Sequence, residues 1–401
     1  MKIIITGASG FIGKQLISSL VDQGYFLLLV GRDPSQLEAF KSKSVSVAGY
    51  SEIPEKANEF DAIIHLAAKN NDQAGSIEEF RSANVELLKE VVSASYAANV
   101  KMFINISSLR ASSKTSQNPY DVSKAEAEAW LQTVEYIKIV NIRLPAVYGD
   151  NFRGNLAVLN KTPKFLHAIL LNTLKCIKPA VHLDLLSNEL SKIIQNPPKE
   201  SSDLFVTDRQ MGNPIYSFMV RLLDLSFAFV VLIGFWWLLA IIWLAVKLTS
   251  PGPGVFAQPR VGIGGNVFTC YKFRTMADGT VQAGTHEISK AHVTKVGSLL
   301  RKLKLDELPQ LINIIRNEVS LVGPRPGLPA QRLLIEERTK RRVLEVKPGI
   351  TGWSQINGID MSDPARLAQM DSQYVYLRTL LFDLKIIIYT AIGYGRGDNV
   401  S

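Results

Sequence analysis

Two sets of ionisable side chains have the types and spacing that chemistry needs. In the first, Tyr120 and Lys124 stand four residues apart in Tyr120-Asp121-Val122-Ser123-Lys124, so a helix stacks them on one face. A cation beside a phenol lowers the phenol's pKa and lets it exchange a proton with a carbonyl or an alcohol. Ser107 and Ser108 close an apolar run just before this pair. Upstream, Gly7, Gly10 and Gly13 follow the first apolar run and open a helical pattern. Such glycines permit a tight turn, and the helix start offers N–H groups to a pyrophosphate. Arg32 ends the second apolar run, where an arginine can meet a 2′-phosphate; this favours NADP(H) over NAD(H).

In the second set, Asp306 and Glu307 are adjacent and precede an amphipathic pattern of Leu308, Leu311, Ile312 and Ile315. Pro309 is tolerated only in a first helical turn, which puts both acids at a helix start. Carboxylates there are commonly capping charges. Nearby motifs supply Lys272 and Arg274 in Tyr271-Lys272-Phe273-Arg274-Thr275-Met276, and Arg325 in Val322-Gly323-Pro324-Arg325-Pro326. These cations are of the kind that bind a diphosphate.

The elements that position these residues fall into two halves. Up to about residue 209, apolar runs of strand length (Lys2–Thr6, Phe26–Val30, Ala62–Leu66, Met102–Ile106, Lys138–Arg143, Leu204–Thr207) alternate with helix-length amphipathic stretches. That pattern predicts an α/β, doubly wound parallel sheet covered on both faces. The stretch from Asp208 to Pro214 reads as a linker. Residues 225–246 then carry no charge and are bracketed by Arg221, Asp224 and Lys247. A straight helix of that length spans about 33 Å, enough for a hydrocarbon core of about 30 Å. The domains expected are 1–209 and 214–401, the second carrying a membrane helix over about 220–247.

Composition narrows the classes. The 401 residues carry a formal net charge of +9, unevenly placed: residues 1–210 hold 23 Lys/Arg against 22 Asp/Glu, and the remainder holds 22 against 14. A basic second half suits an anionic membrane surface or a diphosphate substrate, and the expected partners include no nucleic acid. Cys176 and Cys270 are far apart, which excludes a disulfide framework or zinc cluster and fits a reducing compartment. The histidines are scattered, so a metal is expected on carboxylates and phosphates. The opening Met1-Lys2-Ile3-Ile4-Ile5-Thr6-Gly7 lacks the long apolar region and cleavage site of a signal peptide, which predicts a cytoplasmic first domain.

Residues 1–209 resemble the extended short-chain dehydrogenase/reductase family, the nucleotide-sugar epimerases, dehydratases and 4-ketoreductases. The resemblance rests on the glycine turn, Asp61-Ala62-Ile63-Ile64-His65-Leu66-Ala67-Ala68, Asn84, Ser108, Tyr120, Lys124, and Arg143-Leu144-Pro145-Ala146-Val147-Tyr148-Gly149. Arg153-Gly154-Asn155 is similar to the stretch that follows in the 4-ketoreductases. It implies that Tyr120 donates or accepts the proton. Lys124 would hold the ribose and tune Tyr120, and Ser108 would bond the reacting sugar oxygen. Two departures stand out. Leu109-Arg110-Ala111 replaces the usual Val-Tyr-Gly, and the domain stops soon after its last strand, where relatives add helices that close the sugar pocket.

Residues 214–401 resemble the monotopic phosphoglycosyltransferases of the bacterial sugar transferase family. The motifs are Gln258-Pro259-Arg260-Val261-Gly262, those around Lys272 and Arg325, Leu305-Asp306-Glu307-Leu308-Pro309-Gln310-Leu311, and Lys347-Pro348-Gly349-Ile350-Thr351-Gly352-Trp353. The resemblance implies that Asp306 attacks the sugar-bearing phosphorus of a UDP-sugar and expels UMP. Undecaprenyl phosphate would then take the sugar phosphate, with Mg²⁺ near Asp306 and Glu307. Both domains would use cytosolic nucleotides, so both belong on the cytoplasmic face of the bacterial inner membrane, with a re-entrant helix between them. The family bends that helix at a Ser-Pro pair; Trp236 and Trp237 occupy these positions here, and Gly234 is the nearest weak point.

Three whole-chain readings follow. The first domain reduces a UDP-4-keto-6-deoxy-N-acetylhexosamine with NADPH, or is a C4-epimerase with tightly held NAD⁺, or is a non-catalytic cofactor or nucleotide-sugar sensor. A homo-oligomer is left open by the sequence.

Overall fold

The computed structural model describes residues 1–112, 116–149, 152, 154–276 and 293–394. Arg153 lies outside the described residues. The chain divides into two units, one of Met1–His167 with Pro179–Asp208, the other of Ala168–Lys178 with Arg209–Ser401.

In the first unit, alternating apolar side chains bury both faces of every central strand. The strands are β1 (Lys2–Thr6), β2 (Phe26–Gly31), β3 (Val45–Gly49), β4 (Ala62–His65), β5 (Met102–Ser108) and β6 (Lys138–Leu144). A short parallel pair, β7 (Ala146–Tyr148) and β8 (Ala180–His182), stands apart from the sheet, and β9 (Ser202–Phe205) completes it. The seven-stranded order is β3-β2-β1-β4-β5-β6-β9, and every pairing is parallel. Ile3, Ile5, Leu27 and Leu29 pack under the helices Phe11–Asp22 and Leu183–Gln195. Ile4, Leu28, Ile63 and Phe103 face the opposite side, under Leu87–Ala97 and Pro119–Leu131. The strand order reverses between β1 and β4, the switch point beside which such sheets bind ligands.

The expected parallel sheet is present, with one added edge strand and several strand ends shifted by one or two residues. β3 was not among the predicted strands, because its Val-Ser-Val-Ala-Gly is short and half polar, as an edge strand tolerates. The last strand ends at Phe205 rather than Thr207.

The second unit is mostly helical. The apolar stretch forms two helices, Pro214–Gly234 and Trp236–Thr249, separated at Phe235 (φ −124°, ψ 19°). Among the described residues, Pro214–Gly234 is the one helix long and apolar enough to cross a membrane. Phe218, Phe229, Val230, Ile233 and Trp236 along these helices are exposed. A hairpin of β10 (Val255–Val261) and β11 (Val267–Phe273) follows, then the parallel pair β12 (Ser320–Val322) and β13 (Gly349–Thr351). The core joins Ala228, Leu311, Ile314, Leu321, Tyr374 and Ile386.

Candidate active sites of the two units

The glycine turn leaves β1 at Gly7, whose φ of +69° favours glycine. A Cβ on Gly7 would lie 2.7 Å from the Ala67 amide nitrogen, and one on Gly13 would lie 2.7 Å from Ala8 Cα. These absent side chains let the helix Phe11–Asp22 start hard against the sheet. Gly10 is its capping residue and offers no side chain to the first-turn amides. Arg32 is exposed at the end of β2.

Ser108 is the last residue of β5, and Asn118 caps the helix Pro119–Leu131 by accepting from the Tyr120 N–H at 2.9 Å. Tyr120 and Lys124 thus occupy successive turns beside the strand end, with a hydrogen bond between the Ser108 and Tyr120 side chains. Asn84, within a π-helical turn, accepts from the Lys69 N–H at 2.7 Å and donates to Ser123 Oγ at 2.9 Å. That bond locks the helix carrying Tyr120.

The electrostatics correct one expectation. Burial pushes the Tyr120 phenol up, and the Ser108 hydrogen bond offsets this only in part. The charges that act most on it are those of Asp121, Arg110 and Asp72. Burial brings Lys124 itself down to about 8, and its ammonium donates to the Ile106 carbonyl at 3.3 Å. His65, buried against Thr6 Oγ1 at 2.9 Å, is brought down to about 3 by burial and then by the Lys124 charge. It is therefore neutral at physiological pH.

In the second unit the helix Lys295–Leu303 ends at Lys304 in the left-handed region (φ 56°), and the chain turns into the 3₁₀ helix Leu305–Gln310. Asp306 and Glu307 fill its first turn, but Pro309 lies past that turn, inside the 3₁₀ helix and before the α-helix at Leu311, which corrects the expected first-turn proline. Lys272 on β11 donates to Glu307 Oε1 at 2.5 Å, and Arg325 Nη2 reaches the same oxygen at 3.5 Å. Burial raises the Glu307 carboxyl, but Lys272 and Arg325 outweigh it and hold it at about 2. The Asp306 carboxyl is raised, by burial and then by the Glu307 charge, against Lys272, Arg301 and Arg325. One carboxylate is thus fixed in its charged form, and its neighbour is more basic than an ordinary aspartate.

A cleft lined by Lys272, Glu307, Gln310, Arg325, Arg260 and Gly349 opens at this point. Arg274 is not among its lining residues. It sits one residue beyond β11, where its N–H bonds the Gly254 carbonyl at 3.1 Å and its guanidinium donates to Ser250 at 2.7 Å. Sequence reasoning missed Arg260 and Gln310 as cleft residues. Both lie in quoted motifs, but Arg260 reaches the Arg325 loop, donating to the Pro326 carbonyl at 3.0 Å, only through the hairpin's tertiary placement. Among the described residues no three His, Cys, Asp or Glu side chains group as a metal site.

The family model for bacterial sugar transferases matches residues 215–396, and the model for the NAD dependent epimerase/dehydratase family matches residues 3–182. The uncharacterized sugar transferase EpsL of Bacillus subtilis is 45% identical over 145 residues, covering 36% of this chain and 71% of its own length. The chain belongs to the bacterial sugar transferase family.

The UDP-glucose:undecaprenyl-phosphate glucose-1-phosphate transferase of Xanthomonas campestris is 32% identical, covering 69% of this chain and 59% of that protein. A Caulobacter vibrioides sugar transferase of the same name is 34% identical over 51% of this chain and 82% of its own length. Both acidic residues and the cations above lie in the segment matched by the sugar transferase model, and the Tyr120–Lys124 pair lies in the segment matched by the epimerase/dehydratase model.

Proposed function

We propose that the second unit is a membrane-embedded polyprenyl-phosphate sugar-1-phosphate transferase and that the first unit finishes its UDP-sugar substrate. The observation that carries the first half is the geometry of one turn, where Glu307 beside Asp306 accepts from Lys272 at 2.5 Å and is reached by Arg325 at 3.5 Å. A carboxylate is a weak nucleophile towards a doubly charged diphosphate, and cations that neutralise the diphosphate remove the repulsion.

In this reading one Asp306 oxygen attacks the phosphorus that carries the sugar. A phosphorus–oxygen bond forms, and the bond to the bridging oxygen breaks, its electron pair leaving with UMP. An oxygen of undecaprenyl phosphate then attacks the same phosphorus, and the Asp306 carboxylate departs, giving undecaprenyl-diphosphate-sugar. Lys272 and Arg325 hold the diphosphate oxygens, and Glu307 orients Lys272. Magnesium fits a site of two carboxylates completed by substrate phosphates. Asp306 and Glu307 would hold it, and it would supply neutralisation of phosphate charge.

The names of the sugar transferase relatives, which carry UDP-glucose and undecaprenyl phosphate, support this substrate class. The exposed apolar helices Pro214–Gly234 and Trp236–Thr249, broken at Phe235, support a re-entrant segment with both units on the cytoplasmic face. The domains would be 1–209 and 214–401.

For the first unit, the glycine turn and the uncapped helix start suit a nicotinamide dinucleotide, which would supply or take a hydride. Exposed Arg32 favours NADP(H). Tyr120 would pass a proton to or from the sugar oxygen that Ser108 holds, which favours reduction of a UDP-4-keto-6-deoxy-N-acetylhexosamine. Fusion would keep that product at high local concentration for the second unit.

The test supplies UDP-glucose, UDP-N-acetylglucosamine and UDP-N-acetylgalactosamine with undecaprenyl phosphate and measures UMP release. NADPH oxidation with a 4-keto sugar nucleotide is measured separately. Acceptor-dependent lipid product with UMP is the expected result. Absence of UMP release with every donor overturns the transferase reading, and absence of NADPH turnover overturns the reductase reading alone.

A further inference from the structure

The apolar helix Pro214–Gly234 carries two charged residues, Arg221 and Asp224, three positions apart and so on one face. Neither is spent on solvent. Arg221 donates to the Ile314 carbonyl at 2.6 Å and to the Ile315 carbonyl at 2.9 Å. Those carbonyls end the short helix Leu311–Ile315, which continues directly from the 3₁₀ turn bearing Asp306 and Glu307. A cation is well placed there, against the unsatisfied carbonyls of a helix end.

Asp224, 1% exposed, accepts from Ser320 Oγ at 3.0 Å and from the Leu321 N–H at 2.8 Å. Both donors lie on β12, which runs into the loop carrying Arg325. Ala228, one turn further along the same face, packs with Leu311, Ile314, Leu321 and Val322. One helix face therefore grips two segments, the one holding the carboxylates and the one leading to Arg325.

We propose that Arg221 and Asp224 are positioning residues that set the acid turn and the Arg325 loop relative to each other, so that seating of this helix sets the geometry of transfer. This rests on the reading of Asp306 as nucleophile. A buried charge in an apolar helix is expensive to keep, and bonds to two separate elements give it a role that an apolar residue at either position lacks. A phosphorus centre displaced by about 1 Å from its attacking oxygen costs roughly a hundredfold in rate.

The full chain in lipid nanodiscs is assayed for UMP release, using whichever of the three UDP-sugars the unsubstituted protein turns over fastest. Asp224→Ala and Arg221→Gln are expected to lower kcat by about ten- to a hundredfold while KM for the UDP-sugar stays within about twofold. Asp224→Asn, whose amide oxygen still accepts both bonds, is expected to restore most of kcat. Ser320→Ala is a gentler lesion on the partner strand and is expected to cost a few-fold in kcat on its own, yet little more when added to Asp224→Ala. Ser226→Ala, on the exposed side of the helix, serves as the control. Rates are divided by the folded fraction from thermal unfolding, so a purely structural role lowers yield and leaves kcat per folded molecule intact. Undiminished kcat in folded Asp224→Ala, or additive losses with Ser320→Ala, overturns the proposal. An active Asp306→Asn in the same assay instead rejects the nucleophile reading, whatever the helix variants do.

Discussion

Tyr120 with Lys124 and Asp306 with Glu307 are both close-spaced pairs of ionisable groups largely shielded from water, and of the four Glu307 alone is driven towards its charged form. In the first pair burial prevails: the phenol is pushed up and the ammonium comes down to about 8, both towards neutrality. The second lies against Lys272 and Arg325, and their charges overcome burial at Glu307, holding it at about 2. Desolvation penalises charge everywhere, so a countercharge within reach decides the outcome. The acid pair comes with its cations already in place. The Tyr120–Lys124 pair is left to be tuned by whatever binds beside it.

That contrast can be broken from its charged side first. Asp306→Asn is expected to lower UMP release more than about a thousandfold, as removal of a covalent nucleophile does, while NADPH oxidation continues unchanged. Lys272→Met is expected to lower UMP release by about a hundred- to a thousandfold, the size of effect seen on losing one preorganised donor.

Lys272→Met also has a pH signature in whatever turnover remains. In the proposed reaction Asp306 would attack only as the carboxylate, so the rate is expected to rise with pH through its pKa, which lies above the ordinary 3.8. Removing a cation that lowers that pKa moves the acid limb to higher pH still. A limb that stays put, or moves down, contradicts the assigned coupling.

On the neutral side, Tyr120→Phe is expected to cut NADPH oxidation by about a hundredfold or more and leave UMP release untouched. If UMP release falls in step, the two sites are not the separate devices described. The smallest effect is expected at Arg32: Arg32→Ser should weaken NADPH more than NADH, by about tenfold, read by fluorescence titration.

Much of this contrast was legible in the sequence. Strand-length apolar runs between helix-length stretches announced the parallel sheet, the glycine turn announced a helix start packed close against it, and Asp306 and Glu307 do open a helical turn, although Pro309 lies past it. The direction of the Tyr120 shift was not legible. Spacing brings Lys124 alongside, but only the folded chain shows how deeply both are buried. The place of Arg274 was not legible for a related reason, because its motif neighbour Lys272 turns to Glu307 while Arg274 turns to the Ser250 carbonyl. Arg221 and Asp224 could be read as brackets of an apolar stretch. Their partners at Ile314 and Ser320 lie far along the chain, and no local pattern encodes that pairing.

The central claim is a covalent bond between a sugar phosphate and Asp306, and mass spectrometry of the protein tests it most directly. The full chain is mixed with its UDP-sugar in the absence of polyprenyl phosphate, quenched and digested. The account predicts a sugar-phosphate mass on the peptide containing Asp306, formed together with UMP, lost on adding undecaprenyl phosphate and missing from Asp306→Asn. UMP release that requires the lipid acceptor, with that peptide unmodified throughout, would contradict it.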